Sequence, residues 1–239
     1  MRLGTPAFVP PPDNCMRRTL KLSLSFLLSS AYEATSMWRR DLRRLRNHAQ
    51  LSSCLEAHLD ASVVVLGPPD VHGTGRICIG HNTLLFPSMY LETQEDGSID
   101  VGEGVVISSG VHIVSRARIR IGDGTMIGEY SSIRDANHVR ASDLPIRDSG
   151  HNARPIIIGK EVWIGRGVAI LGGVSIGDGA TVGANAVVVD DVPVGATVVG
   201  VPARPVRARA IIDRGTNQRT SHESSGAPPR ANESRFAEK

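Results

Sequence analysis

Three imidazoles stand out among the eight histidines of this 239-residue chain. His138 ends the segment "SIRDANH", where a six-residue metre in the sequence breaks off; His151 lies inside the interruption and His112 precedes it. Imidazole titrates near neutral pH, so it suits the task of taking a proton from a hydroxyl and returning it to a leaving group. A base of this kind speeds such a step by about 10² to 10⁴. Asp135 and Asn137 flank His138 and either orient its ring or build the turn beside it. Cys15, Cys54 and Cys78 show no metal spacing. An odd number of cysteines fits a reducing cytoplasm.

The elements that must hold these side chains are written in the metre. From Ile158 an aliphatic residue opens each group of six: Ile158, Ile164, Ile170, Ile176, Val182, Val188 and Val194, and the fifth place is small, such as Val or Ala. A period of six fits no helix of 3.6 residues per turn, but it fits short strands joined by tight turns, the hexapeptide class of parallel β-helix. A longer phrase, aliphatic-x-aliphatic-Gly, recurs at Ile77, Ile99, Ile119, Ile156, Val174 and Val192. The last steps are eighteen residues, three sixes, so each coil is a triangular rung with three flat faces. Earlier steps of 22 and 20 residues are one rung plus bulges of four and two. About seven rungs at strand spacing give a column about 30 Å tall.

The step of 37 residues is one rung (Ile121, Ile127, Ile133) plus nineteen residues outside the pattern, "VRASDLPIRDSGHNARPII", a loop extruded over 139–157 with His138 at its root. Only the first and fifth residues of each hexad point to the axis, which leaves no room for large rings and agrees with an aromatic content of 4%.

Flanking segments differ in character. The net charge of +3 and pI near 9.0 come from a local excess, eight Lys or Arg between Arg17 and Arg46, so no nucleic-acid surface follows. "MRRTLKLSLSFLLSSAYEA" has the basic start and semi-apolar run of a secretory signal, but it holds four serines in that run and is too short to span a bilayer. The following "EATSMWRRDLRRLRNHA" is expected to be helical, with Trp38, Leu42, Leu45 and Ala49 on one stripe. That stripe suits a cap over the end of the column or, alternatively, a peripheral contact with an anionic membrane. From Arg214 the chain is nearly devoid of apolar residues and is expected to be disordered. The expected organisation is an N-terminal basic, helical extension over 1–57, an all-β hexapeptide domain over 58–207 and a polar tail over 208–239.

The hexads, the extruded loop, "EVWIG" and the ending "VGATVVGVPARPVR" together resemble the hexapeptide-repeat acyltransferases. Their nearest branch holds galactoside, maltose and xenobiotic acetyltransferases and those of exopolysaccharide synthesis. The resemblance covers Ile77 to about Arg207 and implies a left-handed parallel β-helix, assembled as a homotrimer with acetyl-coenzyme A, and no metal, in grooves between subunits. His138 is then the general base. Trp163, Gly165, Arg166 and Ala184 line the pantetheine path, and Arg204 and Arg207 meet the nucleotide phosphates. The family's acceptor asparagine falls here on Ser108 or Ser109, with His112 nearby, a departure that weakens the acceptor assignment but leaves the base in place. The expectation is an O-acetyltransferase of a sugar hydroxyl in surface-polysaccharide synthesis, placed in the cytoplasm or at the inner face of the membrane. The alternatives are a small-molecule or amino-sugar N-acetyltransferase, a zinc hydratase like the γ-class carbonic anhydrases, and a non-catalytic scaffold.

Overall fold

The computed structural model describes residues 15–141 and 143–206, and of residues 15–20, 31, 34 and 37 the backbone alone. The polar tail and Arg207 lie outside the described residues.

A triangular column of seven rungs follows helix α1 (Cys15–Cys54), in the left-handed parallel β-helix form that the resemblance implied. Its three faces are parallel sheets, one of them closed by an antiparallel last strand, Arg204–Pro205. Face A carries Val106–Ile107, Met126–Ile127, Trp163–Ile164 and Thr181–Val182 among its eight strands. Face B, of six strands, includes His112–Ser115 and Ser132–Arg134; face C, of five, includes Arg118–Ile121 and Ile156–Ile158. The chain visits them in the order A, B, C on every rung but the last, which holds face A alone.

The metre dictates this packing residue by residue. Ile77 pairs with Ile99, Ile99 with Ile119, and Ile119 with Ile156, so the residues that open the longer phrase stack in one column. All four are fully buried, and each such side chain contributes about 1.5–3 kcal/mol. Glycine after the aliphatic residue is required by stacking: a Cβ on Gly165 would lie 2.7 Å from the Ala184 nitrogen and 2.9 Å from the Val182 oxygen. Thr125 and Ser131 occupy small inward places, and their hydroxyls donate to the Gly159 and Gly165 carbonyls while accepting from the Val162 and Val168 amides.

The surplus residues collect at a single edge. The bulges predicted from the steps of 22 and 20 lie between faces B and C, after Thr93 and Ser115, an unpredicted one follows Gly73 there, and the long interruption emerges at the same edge. It is built differently from the expected loop. Ala136–His138 and His151–Ala153 pair as an antiparallel hairpin, so the excursion begins before His138. Ile156 and Ile157, read from the sequence as its last residues, are strand residues of face C, and Ile156 is buried. Between the hairpin strands runs a short 3₁₀ turn, Ile146–Asp148.

Helix α1 is longer than the sequence suggested and includes the whole signal-like run. It caps the column only through its last turns. Leu51 is fully buried, the Asn47 amide donates to the Val65 carbonyl, and the His48 ring meets the Asp60 carbonyl at 3.0 Å. The stripe expected to do the capping is exposed instead, because it points away from the column.

Candidate functional site

His138 and His151 are cross-strand partners in the hairpin, and their rings meet with centroids 4.2 Å apart at 44°. Directly opposed residues of an antiparallel pair project on the same side, which is why two imidazoles thirteen positions apart become neighbours. The pair is solvent-exposed. His151 titrates below the ordinary value of 6.5, first because the ring loses water and then because Arg116 and His138 add positive charge, opposed in part by Glu95. Arg116 is mostly buried and ion-paired with Glu95.

Asp135 anchors the root of the hairpin and does not serve the ring. Its carboxylate is fully buried and accepts from the Ser115 hydroxyl at 2.7 Å, the Arg116 amide at 2.8 Å and the Ala117 amide at 2.9 Å. Its own carbonyl accepts from the Arg154 amide at 2.8 Å. One residue thus fixes the bulge at 115–117 and both feet of the hairpin. Asn137 is exposed and paired across the hairpin with Asn152, and its neighbours in the ladder are not the His138 ring.

A second feature lies on face A. Trp163, Gly165, Arg166 and Ala184, together with Ser108, line one groove of about 400 Å³. Met126, Gly128, Glu129, Thr181 and Gly183 complete it; these were not picked out from the sequence. They follow from register, since Met126 pairs with Trp163 and Trp163 with Thr181. Trp163 is 60% exposed and Met126 51%, apolar surface that a flat ligand or a neighbouring chain would remove from water. Arg166 lies over the ring of Tyr130, 5.4 Å from its centroid, so its guanidinium is held at the groove's edge.

The remaining sequence-predicted residues are dispersed. Ser109 follows Ser108 at the edge between faces A and B, where its carbonyl accepts from the Tyr130 amide. His112 projects from face B and stacks on Tyr90, which stacks on His72, at centroid distances of 5.2 and 5.1 Å. Arg204 is ion-paired with Asp190 at 2.8 Å, beyond a cis Val201–Pro202 bond at the exit of the coil. Among the described residues no three His, Cys, Asp or Glu side chains cluster as a metal site within one chain.

One topological fact relates base and groove. In a triangle the vertex between sides B and C is opposite side A, so the thickness of the column separates the hairpin from the groove within one chain.

Comparison with known proteins bears out the resemblance. Residues 155–190 match the model of a family described as bacterial transferase hexapeptide (six repeats). Nodulation protein L of Rhizobium meliloti is 46% identical over 45% of this chain and 58% of its own length. The Escherichia coli protein WbbJ, named as a lipopolysaccharide biosynthesis O-acetyl transferase, is 29% identical over 60% of this chain and 78% of its own. The solved structure of AntD, an N-acyltransferase from Bacillus cereus, superposes with a TM-score of 0.53 at 23% identity, covering 63% of this chain and 82% of that one, a likeness of fold. The chain spans little more than half the length of Nodulation protein L.

Proposed function

We propose that this left-handed β-helix is an acetyl-coenzyme A-dependent O-acetyltransferase of a sugar hydroxyl, with His138 as general base. The observation that carries the reading is the groove on face A, where Trp163, Gly165, Arg166 and Ala184, scattered over 22 positions of sequence, form one continuous lining. The names of the relatives agree with it, and WbbJ points to a surface saccharide as acceptor.

The chemistry asks little of the protein. The acceptor oxygen attacks the thioester carbonyl carbon while His138 takes the hydroxyl proton. The oxyanion so formed is stabilised by backbone N–H groups at the rung corners. As the carbon–sulfur bond breaks, the departing thiolate receives that proton from His138, giving an acetyl ester and free coenzyme A with no acyl-enzyme. Lost water and then the Arg116 charge both favour the neutral form of His151, which limits the positive charge beside the His138 ring.

Base and groove occupy opposite sides of one column, so the active site needs two chains: the hairpin edge of one against face A of the next. Such a head-to-tail contact closes on itself as a ring, and the ring of this reading is a trimer in the cytoplasm. Pantetheine then lies along the groove and Arg204, released from Asp190, turns towards phosphate.

The decisive assay follows thiol release from acetyl-coenzyme A with neutral sugars, amino sugars and nucleotide-linked sugars as acceptors. His138→Ala should lower kcat by about 10² to 10⁴ with the donor KM little changed. Near-normal turnover in that variant would remove the mechanism, and turnover confined to amino sugars would replace O-transfer by N-transfer.

A further inference from the structure

Helix α1 packs against the column from Asn47 onward and borders it across shallow clefts from Arg40, which leaves about twenty-five residues, some 37 Å of helix, projecting beyond it. Along that length the exposed side chains are unusual: Leu24, Leu27, Leu28, Trp38, Leu42 and Leu45 are all more than half exposed, Trp38 at 82%. These six form one stripe, since Leu24 and Leu42 are about five whole turns apart, whereas Leu22 and Phe26, also exposed, lie on the other side of the helix. Leu42 and the buried Leu51 are about two and a half turns apart and so lie on opposite sides of the helix. The column therefore borders the stripe only at Leu45 and leaves it uncovered from Leu24 to Leu42.

We infer that α1 seats the protein on an anionic lipid bilayer, with the stripe entering the interface and Lys21, Arg39, Arg43 and Arg46 reaching lipid phosphates. Charge complementarity decides the occupant. The helical phase sets these four cations along one border of the stripe, and among the described residues none of them forms an ion pair. Over the exposed stretch 21–46 the acidic side chains are Glu33 and Asp41 alone, against six basic ones. A second copy of the helix laid on the stripe would bring like charges together. A bilayer rich in anionic lipid neutralises them and takes up the leucines and Trp38, while basic stems extend to the headgroup level. No helix among the described residues is long and apolar enough to cross a membrane, so α1 lies on the surface.

The test is flotation of the full chain with vesicles of phosphatidylcholine alone and of phosphatidylcholine mixed with phosphatidylglycerol, alongside light-scattering mass. Binding should be about tenfold or more tighter on the anionic vesicles, fall as salt is raised, and disappear in the double variant Trp38→Glu, Leu42→Glu. Circular dichroism and the thermal midpoint of that variant should match the parent, because both side chains are exposed. Equal binding to the two vesicle types, binding to neither, or a double variant whose assembly falls apart would each overturn the inference, the last by showing that another copy occupies the stripe. None of these readouts depends on acyl transfer.

Discussion

At the scale of single residues, His151 carries a measurable mark of its surroundings. Lost water, Arg116 and His138 all favour its neutral form, so its proton NMR titration should have a midpoint below 6.5, and His138→Ala should move that midpoint back up. The consequence for stability has a definite sign. The unfolded chain binds this proton at 6.5 and the folded chain only at lower pH, so in the window just below 6.5 acid favours unfolding and stability rises with pH. Asp135 makes a sharper prediction. Removing a buried carboxylate that satisfies a hydroxyl and two amides should cost about 1–3 kcal/mol, read as a lower urea midpoint for Asp135→Ala. Activity should fall with it, because the feet of the hairpin lose their anchor while His138 itself is untouched.

Among elements, the rung and the hairpin obey different rules. A rung repeats a local solution, and its tolerance is set by the rung beside it. Gly165→Ala places a methyl group against Ala184 and Val182 backbone, and should destabilise the coil by about 1–3 kcal/mol in denaturant unfolding even without a ligand. Glycine at this position is thus explained by stacking, and its place in the groove is a second constraint on the same residue. The hairpin answers to pairing across its two strands. Its existence was legible as a break in metre at Val139, but the excursion begins three residues earlier and includes His138. Its strands were not legible, because Ala136–His138 and His151–Ala153 are too short and polar to show a period. Helix α1 illustrates the opposite case: its apolar stripe was plain in the sequence, whereas the side facing the column, marked by Asn47 and Leu51, was not.

For the whole molecule, the consequence is that no single chain completes the proposed site. Mixing two inactive proteins tests this directly. His138→Ala spoils only the edge, and Ala184→Trp, by filling the groove, only face A. Co-refolded in equal amounts and assembled at random into the proposed trimer, they should recover about a quarter of parental activity, since one interface in four pairs an intact edge with an intact groove. A site contained in one chain would give none.

What the sequence determined alone was whatever repeats locally: an aliphatic residue at every sixth place, three sixes to a coil, seven rungs, and the break beside one histidine. Each of these is set by which side chains must leave water, and that requirement is written at fixed spacing along the chain. Tertiary structure decided the rest: Asp135 bound to Ser115 and its neighbours, His151 against His138, Met126 beside Trp163, and the hairpin on the vertex opposite the groove. These depend on which residues of different rungs meet at one edge, and the lengths of bulges and excursions that fix those meetings are absorbed in corners that carry no period.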